Sequence, residues 1–546
     1  MQRQRLLREW PLAAALLVTF TFILLAERGI LRMTGGVFMY PLDDPFIHMQ
    51  VARNLAFHGV WGINPAEFAS ASSSLLYTLL LAFFSRLTSL GMVIPFVINC
   101  IAACLLLAVI HRWLFRQAVG AVWRAAILIM LVIFLPLPVL VISGMEHTLQ
   151  CIFCWLFVTR MAGWLEYGQG RKLPVELVLY AVLVTAIRYE GMFLVAMGCL
   201  LLLYKRQWAA GFVLGGIALL PIVLFGIYSV RQGSYFLPNS VLVKSENLPF
   251  SVKGMVEYVN NILINKLTVV KPQVKAIGSP PPGISLLATQ RLLFVFPLAY
   301  LLYMRLMREK RVFADILVMV TGCTLLHLAL AATGWLYRYE AYLVMMALVV
   351  VPVIVYQSRG QGMYPGRKEL YGRGFAVLLL FALFFPFVLR SAAAYSNIRQ
   401  ACVNIYQQQY QMGRFLKKYH MGDAVAANDI GAISYYGDIR TVDLWGLGDI
   451  EVARSRKGGY WSPAFLDSLV RRRQVKVMIV YDEWFSPELL SRWTKVATWQ
   501  IQNNVILGGD TVSFYVPDRG DGAVLLGQLK EFQSSLPEGV TVVYEE

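Results

Sequence analysis

The fold class read from this sequence is a polytopic α-helical membrane protein with about eleven transmembrane helices, followed by a C-terminal extracytoplasmic α/β domain. Three observations lead there. Of the 546 residues, 58% are hydrophobic and 15% charged, against about 45–50% and about 25% in soluble domains. The apolar residues collect in runs close to the about 20 residues a helix needs to cross a bilayer. From residue 391 onward those runs give way to short apolar segments punctuated by glycine, the pattern of strands and turns. The formal net charge of +17 falls mostly in short loops between apolar runs, which is how a chain fixes its orientation in a membrane. No basic, aromatic-interleaved domain points to nucleic acid.

The first apolar run, Trp10 to Ala26, follows the basic start MQRQRLLRE. A secretory signal begins the same way, but this run is long for one, and Glu27 and Arg28 follow in place of a small-residue cleavage site. It is therefore read as a retained first span. Further runs lie near 92–110, 123–142, 148–164, 173–187, 191–204, 208–229, 290–306, 312–333, 340–356 and 374–390. Those at 173–187 and 191–204 are short, as tilted or broken helices lining a cavity would be. Leu75 to Phe84 is apolar too, but it follows the polar SASSS, and a span there would move every later loop to the other side.

Read instead as a juxtamembrane or re-entrant helix, that segment leaves the basic loops together. They hold Arg3, Arg5 and Arg8; Arg112, Arg116 and Arg124; Arg160, Arg171 and Lys172; Lys205 and Arg206; Arg305, Arg308, Lys310 and Arg311; and Arg359, Arg367, Lys368 and Arg373. The positive-inside rule makes that side, with the N-terminus, cytoplasmic. Residues 1–390 then form the transmembrane domain, with outer loops 27–91 and 231–288, the second carrying the rigid connector SPPPG. Residues 391–546 form the outer domain. In it, DAVAANDIGAISYYGDIRTVDLWGLGD reads as strand, Gly turn, helix start and strand. VKVMIVYDE reads as a further strand, and NNVILGGDTVSFYVPD as a hairpin turning at Gly-Gly-Asp. Six of the seven cysteines lie in apolar runs, including the C-x-x-C pair Cys151 and Cys154, and are read as buried thiols with no disulfide framework. No internal repeat supports an inverted-repeat transporter.

The outer loops carry polar groups that a membrane surface does not explain. Asp43 and Asp44 stand shortly after the first span, and short turns on the same face hold Glu146 with His147, Arg188 with Glu190, and Arg338 with Glu340. Charges at such depth are costly and face a cavity or one another. Snorkelling would account for any one of them but not for the set. A carboxylate there is a competent general base for a bound hydroxyl. Asp44, placed before Pro45 and a helical pattern, is equally a helix N-cap, which would leave Asp43 the freer acid. Arg188, Lys244 and Arg338 suit a lipid-linked phosphate, and Arg53 would either pair with an acid or bind phosphate. His48 faces either the cleft or the headgroups. Asp43, Asp44, Glu146 and His147 offer ligands for a possible divalent metal, though without diagnostic spacing.

Six islands in order resemble the membrane-embedded glycosyltransferases of the GT-C fold, especially bacterial arabinofuranosyltransferase-like members. DDPFIHMQVARNLAFHGVWGINPAEFASASSSLLYTLLLA (43–82) resembles their first outer loop, with Arg53 at the family's A-R-N arginine and with Ser74-Leu75-Leu76-Tyr77 where Pro and Trp are usual. SGMEHT resembles an S-G-x-E-T turn carrying Glu146. RYEG resembles R-P-E-G, with Tyr189 for proline. FLPNSVLVKS resembles a loop bearing Asn239 and Lys244, and YRYEAYL a segment with Arg338, Tyr339 and Glu340. NDIGAISYYGDIRTVDLWGL resembles an outer-domain motif with Asp429, Tyr435, Tyr436 and Asp443.

The resemblance implies an inverting transferase of the bacterial inner membrane. An aspartate of the first outer loop would deprotonate an acceptor hydroxyl on a glycan, lipid or protein, and a polyprenyl-phosphate sugar would be the donor. The binding residues would include Arg53, Glu146, His147, Arg188, Glu190, Asn239, Lys244, Arg338 and Tyr339. A flippase or transporter of lipid-linked sugar, or a non-catalytic envelope scaffold, are the other readings. The transporter would need mid-membrane polar groups, of which His327 is the clearest.

Overall fold

In lipid every backbone N–H and C=O must be satisfied within its own segment, so the apolar runs become helices. The computed structural model describes residues 2–168, 172–244, 256–257, 282–306, 312–358 and 367–545. The eleven runs all fall on helices: α1 (Gln2–Met33), α4 (Ile94–Arg116), α5 (Ala121–Phe134) with α6 (Leu137–Ile142), α7 (His147–Tyr167), α8 (Val175–Ile187), α9 (Gly191–Tyr204), α10 (Trp208–Arg231), α12 (Pro282–Leu306), α13 (Val312–Leu330), α14 (Ala341–Ser358) and α15 (Arg367–Ile405). The run at 123–142 is split at Leu135-Pro136, because proline lacks the amide and crowds the preceding turn. Among the described residues six helices are long and apolar enough to cross a membrane. The protein is an integral membrane protein. Helix α14 is buried on every face from Ala341 to Val350, so it runs through the middle of the bundle. Most of the 231–288 loop, including most of SPPPG, lies outside the described residues.

The first loop forms two short helices, α2 (Asp44–His58) and α3 (Leu75–Leu87). At 13 residues α3 rises about 20 Å, short of the about 30 Å hydrocarbon core, and α8 is as short. The departure from Pro and Trp at 74–77 does not prevent its start: the Ser74 hydroxyl accepts from the Tyr77 amide at 3.3 Å and donates to the Ile187 carbonyl at 2.6 Å. In α2 the expected cap is corrected by one residue. The helix begins at Asp44, with Pro45 in its first turn, and the flanking residue is Asp43, whose side chain makes no capping bond to the helix because it is engaged elsewhere.

Helix α15 runs 39 residues and carries the chain out of the bundle, so the expected boundary at 390/391 falls inside it. A π-turn (Tyr406–Tyr410) and α16 (Gln411–Tyr419) lead into a six-stranded sheet. Its strands are β1 (Ala424–Ala427), β2 (Arg440–Asp443), β3 (Val477–Val480), β4 (Thr494–Ile501), β5 (Thr511–Val516) and β6 (Val540–Tyr544), in the order β2-β1-β3-β5-β4-β6. The parallel strands β1 and β3 are buried throughout, hence their unbroken AVAA and VMIV. Between β1 and β2 lies α17 (Gly431–Gly437). The expected hairpin within NNVILGGDTVSFYVPD is corrected: β5 pairs with the earlier β4, and residues 502–510 form the connection. Asn504 closes that loop on itself, its carbonyl accepting from the amides of Ile506 and Leu507.

The first loop lies against this domain from Asp43 to Glu67. Arg53 donates to the Tyr435 carbonyl at 3.2 Å and pairs with Asp438 at 3.3 Å. The Asn64 side-chain amide exchanges two 2.9 Å hydrogen bonds with the Thr441 backbone, adding a rung to β2. Glu67 pairs with Arg473 at 3.0 Å.

Candidate active site

The two aspartates point different ways, as adjacent residues at the start of a helix must. Both carboxylate oxygens of Asp43 accept backbone amides at the start of α17, from Gly431 and Ala432, each at 2.7 Å. Asp43 keeps some accessible surface. Even so, enclosure by protein and the charge of Asp429 hold its carboxyl up at about 8, against those two amides, which favour the ionised form. Asp429 in turn accepts from Gln409 and from the Tyr481 hydroxyl, each at 3.1 Å. Asp43 is thus not the freer acid. It ties the loop to the C-terminal domain, through partners, Gly431 and Ala432, that no local sequence pattern signals.

Asp44 faces the helix bundle. Arg338 donates to its carboxylate, and the Asp44 side chain keeps 20% of its surface exposed where Arg338 keeps 1%. Burial opposes the charge of Arg338, but Tyr339 and Asp44 outweigh it and hold the guanidinium above its ordinary value. Arg338 also donates to the Tyr339 hydroxyl at 3.2 Å. The Tyr339 ring lies between two guanidinium groups, with Arg338 at 5.0 Å and Arg188 at 5.4 Å from its centroid. Arg188 donates to Glu146 at 2.5 Å and to both oxygens of Glu190, at 2.6 and 3.1 Å. Burial works against this charge as well, and Glu190 and Glu146 overcome it, so Arg188 stays cationic and Glu190 is held below the usual carboxylate range.

The turn that presents Glu146 requires glycine at 144. Its φ is +68°, and a Cβ there would meet the Tyr40 ring at 2.5 Å. His48 is buried beneath the cluster, bonded to the Ser72 hydroxyl at 2.9 Å and 3.8 Å from Glu146. Burial keeps its imidazole below the ordinary value and neutral. Both ring nitrogens of buried His147, and Nε and Nη1 of Arg338, lack a protein partner among the described residues. His147 faces the Tyr339 ring at 6.0 Å. Such orphaned groups beside charged ones are what a polar ligand or ordered water would satisfy.

The chain therefore brings together Asp44, Glu146, His147, Arg188, Glu190, Arg338 and Tyr339. Arg53 is not among them. It stands nine residues along α2, about 13 Å from Asp44. Asn239 opens the short helix α11 (Asn239–Lys244), its backbone amide donating to Ser70 at 3.1 Å and its buried side-chain amide without a partner among the described residues. The side chain of Lys244 lies outside the described residues.

Arg390 escaped the sequence reading. It is fully buried, donates to Glu340 at 2.8 Å, and fixes the 334–340 turn through the Tyr337 carbonyl. The signal was present, an arginine closing an apolar run on the same face as the others. Asp443 serves its own loop, accepting from the Trp445 and Gly448 amides at 2.7 and 2.6 Å, with burial raising it to about 6. His327 meets the Tyr342 hydroxyl at 3.2 Å inside the core. The four residues considered for a divalent metal do not converge. Asp43 is spent on amides and Glu146 on Arg188, and no group of three ligating side chains gathers among the described residues.

Among solved structures the chain is similar to ArnT from Cupriavidus metallidurans, crystallised bound to undecaprenyl phosphate. The match covers 92% of this chain and 98% of that one at 12% identity, with a TM-score of 0.52. The chain has the GT-C fold. An Archaeoglobus fulgidus oligosaccharyltransferase, in complex with zinc and sulfate, matches over 94% of this chain and 77% of that one at 12% identity, with a TM-score of 0.43, too loose to argue from. Residues 397–515 match a family described as a domain of unknown function (DUF8728). No curated protein matches the sequence significantly. In this GT-C chain, then, the matched domain contains the amides that hold Asp43.

Proposed function

We propose that the protein is an inverting glycosyltransferase. It moves a sugar from a polyprenyl-phosphate donor to a glycan, lipid or protein acceptor at the extracytoplasmic face of a bacterial inner membrane. The observation that carries this reading is the division of the acidic pair. Asp43 spends both oxygens on Gly431 and Ala432, while Asp44 sits at the edge of a buried arginine–tyrosine–glutamate cluster with part of its surface open. The ligand crystallised with ArnT, undecaprenyl phosphate, is of the donor's chemical class.

In this reading the Asp44 carboxylate takes the proton of the acceptor hydroxyl. The oxygen attacks the anomeric carbon from the face opposite the phosphate, the bond from that carbon to the phosphate oxygen breaks, and configuration inverts. Charge grows on the leaving phosphate as it departs. Arg338 and Arg188, kept cationic and already fixed by neighbours, are placed to meet it with little reorganisation. The unpartnered Nε and Nη1 of Arg338 are the available donors. Glu146 and Glu190 hold Arg188 in place, and neutral His48 supports Glu146 from below.

The test is transfer from a radiolabelled polyprenyl-phosphate sugar by purified protein. Asp44→Asn should lower the rate by about 10²–10⁴, the range for removing a general base, with donor binding retained. Transfer at the wild-type rate by Asp44→Asn would overturn the assignment.

A further inference from the structure

One open groove lies outside the cluster around Asp44, where α2 meets the C-terminal domain. Its volume is about 360 Å³, and Arg53, Arg414, Lys417, Tyr410, Tyr435 and Asp438 line it together with Lys418. Four cations thus share the groove with one acid. Asp438 answers Arg53 at 3.3 Å and Lys417 at 3.0 Å, and Glu531 answers Lys418 at 2.8 Å. Arg414 has no carboxylate partner among the described residues. Gln411 accepts from it at 3.0 Å, and it stands over the Tyr410 ring. The net excess is two positive charges, in a cleft flanked by aromatic faces.

The groove also stands in a fixed relation to the acid. Arg53 and Asp44 belong to one helix, about 13 Å apart along its axis but on opposite faces of it; Arg53 is held against Tyr435 and Asp44 against Arg338. A ligand seated in the groove is therefore on the side of the C-terminal domain, with α2 between it and the carboxylate.

We infer that this groove binds the anionic part, a carboxylate or phosphate, of an oligosaccharide acceptor, at units remote from the hydroxyl that reacts. That the occupant is an oligosaccharide acceptor rests on the transferase reading; that it is anionic rests on the groove itself. Guanidinium and ammonium groups supply charge-assisted hydrogen bonds to such anions.

The test uses the full-length protein in nanodiscs of phosphatidylcholine, with a fluorescent oligogalacturonate and its methyl ester, which has the same sugars without the charge. The acid should bind at least about tenfold more tightly than the ester, and its affinity should fall as salt rises. The double variant Arg414→Gln/Lys417→Gln, both exposed positions, should lose about tenfold for the acid and leave the ester unchanged. Equal binding of acid and ester, no binding of either, or wild-type affinity in the double variant would overturn the inference. So would a double variant that alters only the retention of phosphatidylglycerol in mixed discs, since the groove would then serve a lipid headgroup. Charge-dependent binding by a protein that shows no sugar transfer would keep the groove as an anionic-saccharide site and remove the transferase reading.

Discussion

At the scale of single residues, adjacent aspartates have different work because they have different neighbours. Asp43 and Asp429 form a half-buried acidic pair, and the Asp43 carboxyl is held at about 8 against an ordinary 3.8. In the folded protein that group keeps a proton which the unfolded chain releases near 3.8. Its contribution to stability is present in full below the ordinary value and is lost as pH rises toward about 8. The melting temperature of the purified protein, followed by intrinsic fluorescence, should therefore fall between pH 6 and pH 9 by more in wild type than in Asp43→Asn. Parallel pH profiles for the two proteins would show that Asp43 is ionised throughout.

At the scale of elements, the decisive contact is between the start of α2 and the start of α17. Gly431 is needed there for space. A Cβ at that position would overlap the Asp43 carbonyl oxygen and come within 2.7 Å of its carboxyl group. Gly431→Ala should destabilise the protein by about 1–3 kcal/mol and should reduce transfer although residue 431 lies outside the cluster around Asp44. Wild-type melting and transfer in this variant would show the contact to be slack.

Much of each element was legible in the sequence. The apolar runs, the short helix after SASSS, and the strands of AVAA and VMIV follow from local periodicity, which depends only on near neighbours. The pairing of Asp43 with amides 388 residues away, the rung that Asn64 adds to β2, and the placement of Arg53 against Tyr435 do not. They arise when separate elements pack, and no local pattern encodes that. For the same reason the sequence could name Asp43 and Asp44 together and leave open which of them is the freer acid. The hairpin error is of another kind: Gly-Gly-Asp is a sound turn signal, but the fold used it to end a connection and paired β5 upstream.

At the scale of the whole molecule, buried ion pairs link the bundle to the helix that leaves it. Glu340 and Arg390 are both fully buried, and their contact joins the turn bearing Arg338 and Tyr339 to α15. Removing one partner of such a pair leaves a bare charge in the interior. Glu340→Gln should cost about 3–5 kcal/mol, read as a lowered melting temperature or loss of folded protein. The double variant Glu340→Gln/Arg390→Met should recover part of that loss, since it removes both charges. If Glu340→Gln melts like wild type, the pair is not part of the framework that sets the cluster.

The bond from Asp43 to Gly431 and Ala432 also has a meaning for how the protein is made. The ribosome releases the first loop 388 residues before the segment that anchors it, a delay of roughly 20 to 80 s at ordinary translation speed. Throughout that interval the nascent chain is in the bilayer with its acid pair unanchored. A stalled or prematurely ended chain would lack the anchor permanently.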